Sequence, residues 1–184
     1  SHPELFSTVF EASTNSRLHR QITGVSTDSR EIKNGDLYLA IKGDRFDGHQ
    51  FLDQALLNGA VAALVCNINN EIDIQQIRVN DTLNAIAKIA NKWRMNFDIP
   101  IIGITGSNGK TSTKELLLHV LSSKFKTHAT KGNYNTSIGL PLTLLDIQPN
   151  HDISIIEMGA SVPGEIESLC EIARPTHGII TNIA

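Results

Sequence analysis

One ten-residue string limits this chain more than any other: Gly103-Ile104-Thr105-Gly106-Ser107-Asn108-Gly109-Lys110-Thr111-Ser112. An apolar, β-branched run at 99–105 precedes and overlaps it, and a helical pattern at 111–124 follows, with Leu117, Val120 and Leu121 on one face. Strand, glycine loop and helix in that order bring backbone N–H groups and a helix N-terminus to one point, where phosphate oxygens bind. Lys110 is then placed to reach the β/γ-phosphates, and the Thr111 hydroxyl to bind Mg²⁺. The general phosphate-loop string has glycine five positions before Gly109. Here Ile104 stands there, with glycines at 103 and 106. A plain glycine-rich turn with an exposed lysine is the alternative, but the G-K-T triplet in this setting favours a nucleotide site.

A second signal is Glu157, which closes the apolar run Ile153-Ser154-Ile155-Ile156. A carboxylate at the C-terminal end of a buried parallel strand faces the crevice where such sheets bind ligands. Beside a phosphate loop it is a hard oxygen ligand for Mg²⁺. A third segment, Lys131-Gly132-Asn133-Tyr134-Asn135-Thr136-Ser137-Ile138-Gly139-Leu140-Pro141, is rich in amides and hydroxyls. Its composition alone reads as a surface loop.

The rest of the pattern is α/β. Strands are expected at 37–41, 60–66, 153–158 and 178–183, all but the first as buried runs. Helices are expected near 51–58, from Asp81 as N-cap to about 97, and from Pro163 at the first helical position as far as Ala173. Strands alternating with helices imply a parallel sheet. The reading divides the chain at residue 82: a small N-terminal α/β domain at 1–82, then at 83–184 the first part of a phosphate-loop, parallel-sheet domain. With 16 Lys+Arg against 19 Asp+Glu, the chain has no basic excess for nucleic acid. No apolar run approaches the ~20 residues that span a bilayer, and no secretory signal is visible at Ser1-His2-Pro3-Glu4. A cytoplasmic address with no membrane partner follows. Cys66 and Cys170 are expected as two buried free thiols.

Taken together, Gly106-Ser107-Asn108-Gly109-Lys110-Thr111-Ser112, Gly132-Asn133-x-Asn135-x-x-Ile138-Gly139-x-Pro141, Glu157-Met158-Gly159 and Gly164-Glu165-Ile166 resemble the Mur ligases of peptidoglycan synthesis. Their loop is G-x-x-G-K-[ST], which accounts for Ile104. Thr27-Asp28-Ser29-Arg30, Gly35-Asp36-Leu37, Gly43 and Asp47-Gly48-His49-x-Phe51 resemble the UDP-sugar domain of the members that add the third and later stem-peptide residues. The likeness is strongest to the members that join D-alanyl-D-alanine to UDP-N-acetylmuramoyl-tripeptide. The Thr-Thr-Pro string expected of the member adding the third residue is not found.

The resemblance implies ATP-dependent amide synthesis through an acyl phosphate. Gly106, Ser107, Asn108, Gly109, Lys110, Thr111, Ser112 and Asn135 would hold ATP, with Lys110 and Glu157 catalytic and Thr111 and Glu157 on Mg²⁺. Asn133 and Thr136 would lie near phosphates. Ser29, Asp44, Arg45 and Phe46 would face the UDP moiety. Family members continue past the strand at 179–183 into further catalytic groups and another domain. The chain therefore reads as an N-terminal piece, monomeric and inactive alone. The rivals are the ligase of the preceding step, another phosphate-loop enzyme, and a non-catalytic UDP-peptide or nucleotide-binding module. Of the histidines, His49 is expected to bond within its loop, His177 to be structural, and His119 and His128 to lie at the surface. Trp93 is expected to pack in a core.

Overall fold

The computed structural model describes residues 3–43 and 46–183. Packing divides the chain into two compact units, residues 1–89 and 90–184. Residue 82, the expected boundary, is the first residue of a helix, Thr82–Arg94, whose residues are shared between them.

The first unit opens with helix α1 (Pro3–Thr14), which buries Phe6, Val9 and Phe10 at i, i+3, i+4 spacing. A four-stranded parallel sheet follows, in the order β1 (Gly24–Ser26), β2 (Asp36–Leu39), β3 (Ala62–Val65), β4 (Gln75–Arg78). Every residue of the two central strands is buried, because both faces are covered. A 3₁₀ turn at Gly48–Phe51 and helix α2 (Leu52–Leu57) pack Leu52 and Ala55 with Tyr38, Ala63 and Val65. The Tyr38 hydroxyl donates to the Gly48 carbonyl at 2.9 Å, and burial pushes its pKa up to about 12.

Helix α3 (Thr82–Arg94) starts as its sequence predicts: the Asp81 carboxylate accepts the Asn84 N–H at 2.7 Å. In the second unit, Trp93 is buried and donates from its indole to the Ile147 carbonyl at 3.1 Å. The second parallel sheet runs β6 (Thr127–Ala129), β7 (Ile153–Glu157), β5 (Ile101–Thr105), β8 (His177–Ile180). Helices α4 (Lys110–Ser122), α5 (Gly139–Leu145) and α6 (Glu165–Ala173) complete the unit.

Several expectations are corrected. Among the described residues β8 pairs only with β5, and three of its four residues are exposed rather than buried. Pro163 lies outside α6, whose N-cap is Gly164 at φ +87°. His128 is buried, since β6 carries it inward against Ser154 of β7, 2.8 Å from Nδ1 to Oγ. Both cysteines are free but only half-buried.

Candidate functional site

The parallel register sets the C-terminal ends of three strands at one edge of the second sheet. Ile104 lies beside Glu157, and Thr105 beside Ile180. The loops that leave these strands hold most of the residues singled out in the sequence.

The loop after β5 is shaped by two left-handed glycines, Gly106 at φ +135° and Gly109 at φ +82°. A Cβ on Gly106 would strike the Thr181 hydroxyl and come within 2.9 Å of the backbone of Asn182. The segment after β8 therefore lies directly against the loop and bonds to it. Asn182 C=O accepts the Ser107 N–H at 3.0 Å, and the Thr181 hydroxyl lies 2.5 Å from Asn108 C=O and 3.2 Å from Thr105 C=O. Lys110 folds over the loop, its ammonium donating to Gly106 C=O at 2.5 Å. Gly109, which has no side chain to cap with, starts the first turn of α4. Ser112 is exposed on that turn, like Ser107, Asn108 and Thr111.

Glu157 is 2% exposed. The Thr111 hydroxyl lies 3.2 and 3.1 Å from its two carboxylate oxygens, and the Asn135 amide donates to one of them at 2.8 Å. Its own N–H donates to the Thr130 hydroxyl at 2.9 Å. Among the described residues no ion pair involves Glu157. An enclosed carboxylate with only neutral donors is electrostatically incomplete and suits a cation. No cluster of three or more His, Cys, Asp and Glu gathers among the described residues to hold a metal on its own. A hard oxygen set of one carboxylate and one hydroxyl, completed by phosphate oxygens, fits Mg²⁺. Asn133 and Thr136 lie exposed on the same loop as Asn135.

In the first unit, Ser29 and Phe46 line a cleft of about 430 Å³ with Thr27, Asp28, Arg30 and Gln54. The Ser29 hydroxyl donates to the Gln54 amide oxygen at 3.0 Å. Phe46 stacks on Phe51 with ring centres 5.2 Å apart. Arg30 forks onto Asp28, at 2.9 Å from Nε to Oδ1 and 2.6 Å from Nη2 to Oδ2, and these bonds hold the Asp28 carboxyl down at about 2. Asp44 and Arg45 lie outside the described residues.

His49 bonds within its loop, as its sequence suggested, and also beyond it. Its Nδ1 lies 2.7 Å from Asp47 Oδ1, while its Nε2 accepts the Cys66 N–H at 2.8 Å. His177 and His119 are exposed. Sequence reasoning missed Thr181, Asn182 and Thr130. The signal for the first two was available: a polar pair just past an apolar parallel strand, the placement that singled out Glu157.

Residues 21–94 match the family described as "Mur ligase family, catalytic domain", and residues 104–184 match "Mur ligase middle domain". The chain is 47% identical to the UDP-N-acetylmuramoyl-tripeptide–D-alanyl-D-alanine ligase of Synechocystis sp., over 89% of its own length and 36% of that relative's. It superposes on a MurF crystal structure from Acinetobacter baumannii with a TM-score of 0.91 and 34% identity, covering 97% of this chain and 41% of that one. For MurF from Thermotoga maritima in complex with ADP, the TM-score is 0.78 and the identity 40%, over 86% and 37% of the two chains. The chain thus spans well under half the length of these relatives.

Proposed function

Because this chain belongs to the Mur ligase family, we propose that the protein carrying it joins D-alanyl-D-alanine to UDP-N-acetylmuramoyl-tripeptide at the expense of ATP. The observation that carries this reading is the convergence of Thr111 and Asn135 on buried Glu157, beside the glycine loop. The activity for which these relatives are named supports the choice of substrates.

The reaction brings two anions together, so positioning and charge neutralisation dominate. The terminal carboxylate of the tripeptide attacks the γ-phosphorus and the bond to ADP breaks, leaving an acyl phosphate. The dipeptide amine then attacks the acyl carbon, the amide C–N bond forms, phosphate leaves, and the amine proton passes to solvent. Gly106, Ser107, Asn108, Gly109 and Ser112 surround the phosphates with backbone and hydroxyl donors at the open start of α4. Lys110 swings from Gly106 C=O onto the β/γ-phosphates. Thr111 and Glu157 hold Mg²⁺, which when bound neutralises charge on the phosphate oxygens. Asn135 fixes the Glu157 carboxylate, while Asn133 and Thr136 offer donors to phosphate oxygens. Ser29 and Phe46, with Asp44 and Arg45, receive the UDP moiety. We place the protein in the cytoplasm, as a monomer.

The test is ATP-dependent phosphate release by the protein carrying these residues, with each substrate omitted in turn and Lys110→Ala as control. Release that needs both substrates and vanishes in the control supports the reading. Release with UDP-muramoyl-dipeptide and a diamino acid moves the protein to the preceding step, and no release with either pair overturns both.

A further inference from the structure

Lys114 lies one turn beyond Lys110 on α4 and is 1% exposed, a charged side chain for which the proposed chemistry has no use. Its ammonium donates to Thr130 C=O at 2.8 Å and pairs with Glu115 at 2.9 Å. In a regular sheet that carbonyl would be committed elsewhere. β6 and β7 are parallel with Ala129 opposite Ile155, and Thr130 N–H donates to Ile155 C=O at 3.0 Å. The next bond of a regular parallel ladder would run from Glu157 N–H to Thr130 C=O. Instead Glu157 N–H goes to the Thr130 hydroxyl, at 2.9 Å, and the carbonyl belongs to Lys114.

We infer that Lys114 is a positioning residue for the Glu157 carboxylate. By drawing Thr130 C=O out of the ladder it ends β6 at Ala129 and hands the Glu157 N–H to the Thr130 hydroxyl. The chain then leaves the sheet at Thr130, so that Asn135 arrives against Glu157. A methionine or leucine would fill the same space, and the exposed Glu115 carboxylate stays solvated without its partner. Thr130 and Lys114 border a cleft of about 580 Å³. The carbonyl released by such a replacement can therefore meet water or rejoin the ladder. Fold stability alone does not account for a lysine here; the direction taken by the chain after β6 does.

The bearing on catalysis rests on the reading of Glu157 given above, so the test is made without nucleotide and stands apart from phosphate release. Glu157 amide hydrogen exchange is followed by NMR in this chain. Thr130→Val removes the hydroxyl acceptor and is expected to speed exchange at least tenfold, while Thr130→Ser leaves it unchanged. Adding Lys114→Met, or Lys114→Leu, to Thr130→Val frees the carbonyl to accept that N–H and is expected to return exchange to within about threefold of wild type. A double variant that exchanges as fast as Thr130→Val overturns the inference, as does a Thr130→Val that exchanges like wild type. Unfolding of every Lys114 variant also overturns it, because the lysine would then be serving the fold.

Discussion

The Thr181 hydroxyl and the Asn108 carbonyl are 2.5 Å apart across 73 residues of sequence. This contact ties the residue after β8 to the glycine loop. Thr181→Val keeps the side-chain shape and removes the donor, which costs on the order of 0.5–1.5 kcal/mol for one ordinary hydrogen bond. ADP affinity is therefore expected to fall about tenfold in Thr181→Val and to hold within about twofold in Thr181→Ser, read by calorimetric titration. Equal affinities in the two variants would remove Thr181 from the loop's support.

Gly106 and Gly178 make a matched pair for the backbone. Gly106 has φ +135° and its Cβ position is filled by Thr181 and Asn182, whereas the Cβ position of Gly178 is open space. Gly106→Ala is expected to lower the unfolding free energy by about 2 kcal/mol or more, and Gly178→Ala to change it by no more than about 0.5 kcal/mol. Urea titrations of both variants check this.

Glu157→Gln preserves shape and acceptor but removes the enclosed charge. Phosphate release is expected to drop by roughly 100-fold or more, while the midpoint of thermal unfolding stays level or rises, because an uncompensated buried carboxylate costs stability. A variant that loses stability and activity together would argue against a cation at this position.

His128 sets an acid limit on stability. Burial, helped by the neighbouring His151, pushes it down to about 4, so the folded chain resists a proton that the unfolded chain accepts near its ordinary 6.5. A depressed pKa gives stability that is complete above 6.5 and is lost as pH falls toward 4. Between pH 6.5 and 5 the linkage amounts to roughly 1–2 kcal/mol. Urea unfolding at the two pH values is expected to show that loss, and His128→Asn to flatten the slope.

The hydrogen bonds of His49 fix its tautomer. Nε2 accepts the Cys66 N–H, so the ring proton sits on Nδ1, facing Asp47. Long-range ¹H–¹⁵N NMR is expected to show the Nδ1–H form. Finding the proton on Nε2 would contradict the link from Asp47 through His49 to Cys66, the residue after β3.

The sequence disclosed those parts whose signals are local and long enough. Asp81 ahead of an apolar stripe marks the start of α3, and a strand–glycine–helix string marks the loop at 106–109. Elements of three or four residues such as β1, β4 and β6 carry no readable period; their partners across the sheet define them. Helix α1 escaped notice because its apolar stripe is short and four of its hydroxyl residues bond back one turn to backbone carbonyls, a habit shared with turns. Helix α5 begins inside a segment rich in Gly, Asn and Ser, whose composition says loop. Glu157 could be found from its strand. Its partners Thr130 and Asn135 meet it only through the sheet register, which no single stretch of sequence encodes.

Asp81 caps α3 with its own carboxylate, whereas α4 begins at Gly109, a cap residue with no side chain to offer its first turn. On the proposed function that start is completed from solution. An anion seated there would become part of the helix, and by mass action the resistance of this unit to heat would track nucleotide concentration, by about 2.7 kcal/mol at a hundred times the dissociation constant. The second unit would in this sense be a thermometer of its own saturation, with a melting curve reporting how full the loop is.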